Sequence, residues 1–142
     1  MNNMKKYKIG YVQGSFDMFH IGHLNILKNA KSICDYLIVG VNSDDFMYSY
    51  KHKHPVIPEE ERLEIIKSIK YVDEAHIVNN RDKLEALEKF HFNALIMGDD
   101  YKGTEFYNKV EKQLEDKNVD IVYFPYTKTT SSTIVREKLY KY

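Results

Sequence analysis

Two histidines, His20 and His23, stand three residues apart in the segment 14–23, which reads GSFDMFHIGH. The segment follows an apolar run and contains glycine, which is typical of a strand that turns sharply into a helix. Backbone N–H groups converge at the N-terminus of such a helix and favour phosphate. Imidazoles at positions i and i+3 share one helix face, and beside an anion site they can stabilise negative charge developing on phosphorus. The segment therefore predicts chemistry on a nucleotide.

The elements that must position this segment alternate between strands and helices. Apolar runs predict five strands, at residues 7–13, 36–41, 75–78, 94–97 and 119–124. Helical spacing predicts helices at residues 23–33, from 58 onward, at 83–90, at 106–114, and from Ser131 or Ser132 to Tyr140. The polar stretch from Asn42 to His54 has no regular period. This alternation predicts a single α/β domain over residues 1–142, with a five-stranded parallel sheet covered by helices on both faces.

Four polar segments each follow a predicted strand, at residues 14–23, 42–54, 98–103 and 125–133. The carboxyl ends of parallel strands lie at one edge of the sheet, and ligands bind beyond that edge. We therefore expect the four segments to form one site.

Composition excludes several classes of function. The 21 Lys and Arg residues balance 21 Asp and Glu residues, so nothing indicates a nucleic-acid or membrane-surface patch. Cys34 is the single cysteine, which excludes a disulfide and a cysteine-based zinc site, and we expect no resident metal. No apolar stretch suits a signal peptide or a membrane span. We expect a cytoplasmic protein that binds neither nucleic acid nor membrane.

Residues 20–23, HIGH, match the HxGH signature of the nucleotidylyltransferase superfamily, and the string from Gly14 resembles its cytidylyltransferase branch. Three blocks that resemble the same branch follow in order: KYVDE at 70–74, MGDDY at 97–101 and TKTTSST at 127–133. The resemblance spans almost the whole chain and implies a Rossmann-like fold. It also implies transfer of a cytidylyl group from CTP, with its Mg²⁺, to a small phosphorylated alcohol. Glycerol 3-phosphate is the leading acceptor, and pyrophosphate is released.

The resemblance implies roles for individual residues. His20 and His23 are expected to donate to the triphosphate in the transition state, and Lys53, slightly preferred over Lys51, to follow the reacting phosphates. Lys51 and Lys83 are expected to bind the acceptor. The residues expected to bind the nucleotide are Gly14, Ser15, Phe16, Asp17, Gly22, Met97, Gly98, Asp100, Thr127, Ser131, Ser132 and Thr133. Tyr126 departs from the resemblance, because relatives usually carry arginine there.

Three alternatives stay open at this stage. A carboxylate such as Asp100 accepts from the exocyclic amine of cytosine or of adenine, so an adenylyltransferase fits as well. The acceptor could be phosphocholine, phosphoethanolamine or a sugar phosphate. The altered residues at 126–129 also allow a nucleotide-binding module without turnover. The resemblance further implies a homodimer with residues 70–74 near the contact, and a product used for cell-envelope polymers.

Overall fold

A computed structural model describes residues 5–140 of the chain. The strands are β1 (Tyr7–Gly14), β2 (Cys34–Asn42), β3 (Glu74–Val78), β4 (Ala94–Gly98) and β5 (Asp120–Phe124). The helices are α1 (Ile21–Ile33), α2 (Asp44–Lys51), α3 (Glu59–Lys67), α4 (Lys83–Phe90), α5 (Glu105–Leu114) and α6 (Ser132–Leu139). A 3₁₀ turn, Asp99–Tyr101, follows β4. The five strands form one sheet in the order β3-β2-β1-β4-β5, and every pairing is parallel, as the sequence predicts.

Both faces of the sheet are buried, which is why its strands appear in the sequence as continuous apolar runs. Side chains alternate along each strand. Val12 packs into a core with α1 and α3, whereas the neighbouring Tyr11 packs into a second core with α4 and α5. Helices α1, α3, α4 and α5 therefore each bury one side. Within residues 5–140 no helix is long and apolar enough to cross a membrane.

The central strand β1 is the point at which the order of the sheet reverses. It pairs with β2 from Tyr7↔Cys34 to Gly14↔Val41 and with β4 on its other side. Close packing here requires glycine in β2, since a Cβ on Gly40 would lie 2.2 Å from the Tyr11 hydroxyl oxygen. Ligands bind beyond the carboxyl ends of strands at such a reversal. The end of β1, where the two histidines follow, is therefore the expected place for a site.

Two elements differ from the prediction. The stretch from Asn42 to His54 contains α2, which was missed because this short helix buries only Met47 and shows no apolar stripe. Its signal is local, since the Ser43 side chain accepts from Phe46 N–H and two acids follow in the first turn. Helix α1 begins two residues earlier than predicted. His20 is its N-cap residue rather than part of a helix face, because its ring accepts a hydrogen bond from Gly22 N–H.

Candidate active site

A cavity of about 280 Å³ lies at the carboxyl edge of the sheet and gathers the ends of β1 and β4, the segment after β5, and parts of α2 and α6. It contains most of the residues that the sequence predicts for the site. Those lining it are Gly14, Ser15, Phe16, Asp17, His20, Gly22, His23, Lys51, Met97, Gly98, Asp100, Thr127, Ser131, Ser132 and Thr133. The four polar segments thus meet as expected, while Lys53 and Lys83 are absent from the lining.

The two histidines form a stacked pair at the start of α1, with ring centroids 3.8 Å apart. His23 Nδ1 accepts from the backbone N–H of His20 at 3.2 Å, and His20 Nδ1 accepts from the backbone N–H of Gly22 at 3.0 Å. An imidazole nitrogen that accepts a hydrogen bond carries no proton, so the proton of each ring is on Nε2. The pair is therefore fixed as two neutral rings that offer Nε2–H donors.

Burial holds both rings in this neutral state. It lowers the pKa of His23 to about 3, and the neighbouring His20 adds to the effect. The pKa of His20 is also lowered by burial. Protonation would place a proton on an Nδ1 that already faces a backbone N–H, which agrees with the direction of both shifts. The site therefore offers donors to an anion without holding a full positive charge on either histidine.

Gly22 keeps the space that the His20 ring occupies. A Cβ at this position would lie 2.8 Å from His20 Cε1 and 3.0 Å from its Nδ1. The resemblance implied contact with the nucleotide for this glycine, and the structure adds a second reason for it. Because the N-terminus of α1 is at the cavity, its N–H groups add to the attraction for anions.

Asp17 is a buried junction between three segments around the cavity. Its carboxylate accepts from the backbone N–H groups of Val56 and Ile57, each at 2.8 Å, and from Arg136. Its carbonyl accepts from the Ser132 hydroxyl at 2.8 Å. Phe16 and Met18, on either side of it, have positive φ values of 53° and 52°, which non-glycine residues rarely adopt. Asp17 thus holds a strained loop against the segment after α2 and against α6.

Arg62 braces the same loop. It is only 1% exposed, and its guanidinium donates to the carbonyl oxygens of Ser15, Asn42 and Ile57. It also forms an ion pair with Asp44 at 2.7 Å. A buried, planar guanidinium that donates to all of these acceptors fixes the backbone at the ends of both β1 and β2.

Among residues 5–140, the cations that line the cavity are Lys51 and Arg136. Burial lowers the pKa of Lys51, and the positive charge of Arg136 lowers it further. Two like charges that share a cavity repel each other, and a polyanion bound between them would relieve that repulsion. Lys51, at the end of α2, therefore occupies the position expected of the lysine that follows the phosphates, whereas Lys53 does not line the cavity.

Arg136 is a cavity residue that the sequence prediction missed. Its Nη2 donates to Asp17, and within residues 5–140 its guanidinium makes no other hydrogen bond. It stands one turn after Ser132 on α6, and both residues contact Asp17. Because the contact of Arg136 with Asp17 spans 119 positions of the chain, no local pattern in the sequence identifies it. Arg136 thus supplies a cation to a cavity where Tyr126 occupies the usual position of arginine.

Lys83 is buried beside the site rather than in it, which does not fit its expected contact with the acceptor. It is 3% exposed and donates from Nζ to Gln13 Oε1 at 3.2 Å and to the Arg81 carbonyl at 3.1 Å. Burial, assisted by the charge of Arg81, lowers its pKa to about 8. Gln13 lines the cavity and also accepts from the Tyr11 hydroxyl, so Lys83 reaches the site through Gln13.

The residues expected around the base lie on the β4–β5 side of the cavity. Asp99 and Asp100 follow β4, and Asp99 Oδ1 accepts from the backbone N–H of Tyr126 at 3.0 Å. Partial burial raises the pKa of Asp100, which lines the cavity. Thr127 Oγ1 accepts from Asn25 of α1 at 3.0 Å, which ties the segment after β5 to the histidine helix.

Neighbouring residues of the hydroxyl-rich segment at the start of α6 make different contacts. Ser131 caps the helix by accepting from the backbone N–H of Ile134, and Ser132 donates to Asp17. Thr133, in the first turn, lines the cavity. The N-terminus of α6 thus lies at the cavity like that of α1, so two helix termini favour an anion there.

Comparison with known proteins assigns the family. Residues 11–138 match the Cytidylyltransferase-like family. The chain is 33% identical over 130 residues to a glycerol-3-phosphate cytidylyltransferase of Staphylococcus aureus (strain NCTC 8325 / PS 47), covering 89% of this chain and 91% of that protein. It is 32% identical over 127 residues to an FAD synthase of Thermococcus kodakarensis (strain ATCC BAA-918 / JCM 12380 / KOD1), covering 86% and 82%. The chain belongs to the cytidylyltransferase-like family and is a nucleotidyltransferase.

Solved structures agree on the fold. A lipopolysaccharide core biosynthesis protein from Thermoplasma volcanium GSS1 superposes with a TM-score of 0.71 at 24% identity, covering 85% of this chain and 99% of that one. This likeness shows a shared α/β fold. The predicted family is confirmed by the family match and the relatives, and the predicted fold by this likeness.

Proposed function

We propose that the protein transfers the cytidylyl group of CTP to glycerol 3-phosphate, forming a CDP-linked product and pyrophosphate. The observation that carries this proposal is one cavity that joins two neutral Nε2–H donors, His20 and His23, to two cations, Lys51 and Arg136. The similarity to a glycerol-3-phosphate cytidylyltransferase over most of both chains supports the choice of substrates.

In the proposed step an oxygen of the acceptor phosphate attacks the α-phosphorus of CTP. The new bond joins that oxygen to phosphorus, and the bond to the β-phosphate oxygen breaks, so that pyrophosphate leaves with the electron pair. A phosphate monoester presents unprotonated oxygens near neutral pH, so the attack needs no general base. Catalysis then consists of positioning and charge stabilisation.

The residues of the cavity suit that task. The two imidazoles donate to the α-phosphate as its charge increases, and Lys51 and Arg136 balance the departing pyrophosphate. Among residues 5–140 there is no cluster of three or more His, Cys, Asp or Glu residues that could hold a metal ion. We propose that Mg²⁺ enters as part of the substrate, bound to triphosphate oxygens.

The test is pyrophosphate release with each of the four nucleoside triphosphates against glycerol 3-phosphate, phosphocholine, phosphoethanolamine and sugar phosphates. We expect release with CTP and glycerol 3-phosphate, and loss of release in His20→Ala. Release with ATP but not CTP would overturn the choice of nucleotide. No release with any pair would favour a binding module without turnover.

A second candidate, adenylyl transfer, is favoured by one finding. The chain is 32% identical to a protein named FAD synthase, whose product contains adenine. Asp100 would accept from the exocyclic amine of adenine as well as from that of cytosine. The ATP arm of the same assay decides between the two.

We further propose, on the family resemblance, a cytoplasmic homodimer with its contact near residues 70–74 and a product consumed in cell-envelope synthesis. Light scattering during size-exclusion chromatography tests the dimer, and a mass near 16.8 kDa would contradict it.

A further inference from the structure

A chain of hydrogen bonds runs from the buried Lys83 to the wall of the cavity. Lys83 Nζ donates to Gln13 Oε1 at 3.2 Å, and Gln13 Nε2 donates to Asn42 Oδ1 at 2.9 Å. Asn42 Nδ2 in turn donates to Ser15 Oγ at 3.5 Å. Gln13 and Ser15 line the cavity, whereas Lys83 does not. The chain thus connects a side chain outside the cavity to a hydroxyl group inside it.

The direction of this chain is fixed at Gln13 by one neighbour that only donates and one that only accepts. Lys83 is an ammonium group near neutral pH, since its pKa is about 8. An ammonium has three donors and no acceptor, so the Gln13 atom that faces Lys83 is the amide oxygen. The other end of the amide lies 2.8 Å from the carbonyl oxygen of Asn80, which only accepts. The Gln13 amide therefore has one orientation, and the Tyr11 hydroxyl at 3.0 Å gives its oxygen a second donor.

That orientation determines what Ser15 offers to the cavity. Because Gln13 Nε2 donates to the oxygen of Asn42, the NH₂ group of Asn42 faces Ser15, and Ser15 Oγ accepts from it. A serine hydroxyl has one proton to donate, and within residues 5–140 the Ser15 hydroxyl donates to no other group. Its proton is therefore available to an anion in the cavity. The distance of 3.5 Å is long, but hydrogen bonds of this kind often tighten when the substrate binds.

The backbone of Ser15 is fixed as well as its side chain. Arg62 Nη1 donates to the Ser15 carbonyl oxygen at 2.7 Å. Ser15 follows Gly14, the last residue of β1, and so lies at the start of the loop that leads to the two histidines. A hydroxyl donor at this place adds to the two Nε2–H donors. Donors that are aligned before a phosphate binds stabilise its charge without a cost of reorganisation.

We propose that Lys83 is a positioning residue, which acts through Gln13 and Asn42 to keep the Ser15 hydroxyl as a hydrogen-bond donor to a phosphate of the nucleotide. This inference rests on the proposed function only in that a nucleoside triphosphate occupies the cavity. It does not depend on which base or which acceptor is used. It also gives the buried lysine a role that needs no contact with a substrate.

The experiment is a double-mutant cycle between Lys83→Met and Ser15→Ala, read by calorimetric binding of the Mg²⁺ complexes of CTP and, in parallel, ATP. Ser15→Ala should raise the dissociation constant about fivefold, as expected for one neutral hydrogen bond. Lys83→Met should raise it roughly threefold in the wild type but by less than about 1.5-fold in Ser15→Ala. Ser15→Thr keeps the hydroxyl, so Lys83→Met should again raise the constant roughly threefold there. Asn42→Ala, which breaks the chain at its middle, should resemble Lys83→Met and add nothing to it.

Lys89→Met, on the exposed side of the same helix, is the matched control and should leave binding unchanged. Urea unfolding of each variant measures stability, which Lys83→Met should alter equally in all three Ser15 backgrounds. Equal weakening of binding by Lys83→Met in the wild type and in Ser15→Ala would show a merely structural role and overturn the proposal. No effect of Lys83→Met in the wild type, or no binding of either triphosphate, overturns it as well. The expected coupling without pyrophosphate release would support this inference and contradict the proposed transfer.

Discussion

Arg136 donates from Nη2 to Oδ2 of Asp17 at 2.9 Å, which joins the last helix of the chain to the loop that carries the histidines. The Asp17 side chain is 2% exposed, and the same carboxylate holds the backbone at Val56 and Ile57. One buried negative charge thus orders the strained loop after β1, the segment after α2 and α6. It also leaves the other N–H groups of Arg136 free to turn towards the cavity.

Asp17→Asn should therefore weaken both the fold and the site. The amide of asparagine carries no charge. Its own N–H groups would also face the N–H donors that now hydrogen-bond to the carboxylate. We expect the free energy of unfolding to fall by about 3 kcal/mol and activity to fall at least tenfold. Urea unfolding and pyrophosphate release measure the two effects. Asp116→Asn, at an exposed position after α5, is the control, and equal effects in both variants would contradict the role of Asp17.

Lys51 and Lys53 provide a matched pair for the cationic role. Lys51 lines the cavity beside Arg136, and Lys53 lies outside its lining. Lys51→Met should reduce kcat by about 100-fold, because a cation opposite the triphosphate is lost, whereas Lys53→Met should stay within about threefold. Steady-state kinetics with saturating substrates decide the matter. A larger loss of kcat in Lys53→Met than in Lys51→Met would assign the cationic role to Lys53, the residue that the sequence alone favours.

Much of the fold is predictable from the sequence because parallel strands buried on both faces appear as apolar runs. The positions of β1 to β5 follow from this pattern, and the strand ends then place the polar segments at one edge. Helix α2 escapes prediction, since a helix that buries only Met47 shows no periodicity.

Side-chain direction is what the sequence leaves open in the site. The sequence does not distinguish Lys51 from Lys53. The structure shows that Lys51, the last residue of α2, lines the cavity and that Lys53 does not. The role of Arg136 is also not predictable from the sequence, because its contact with Asp17 joins residues 119 positions apart. Lys83 is the opposite case. Its position in the first turn of α4 suggests an exposed side chain, but the folded protein buries it.

Gly22→Ala tests whether the His20 ring needs the space beside α1. The added Cβ would lie 2.8 Å from His20 Cε1, so the ring must move away from Gly22 N–H and lose its fixed tautomer. We expect kcat to fall by about 100-fold while the melting temperature changes by only a few degrees. Ile21→Ala, at the neighbouring exposed position, should keep near-normal kinetics. Normal kcat in Gly22→Ala would show that the ring does not depend on this contact.

The neutral state of His23 predicts a dependence of stability on pH. Its pKa is about 3 in the folded protein and about 6.5 when unfolded, so between these values the unfolded chain binds more protons. The contribution of His23 is complete above pH 6.5 and is lost as pH falls, by about 2 kcal/mol between pH 7 and pH 5. Urea unfolding at both values measures this loss. His23→Asn, which keeps an acceptor for His20 N–H, should show a smaller loss, and an equal loss would contradict the assignment.

The lowered pKa of Lys83 predicts that stability also changes at alkaline pH. Its pKa of about 8 in the fold lies below the value of about 10.4 in the unfolded chain, so the unfolded chain again binds more protons between these values. Stability should rise by about 1 kcal/mol from pH 7.5 to pH 9. Lys83→Met, which cannot titrate, should lack this rise, so the comparison removes the contribution of other groups. Parallel curves for the two proteins over this range would show that Lys83 keeps an ordinary pKa and is not desolvated beside Gln13.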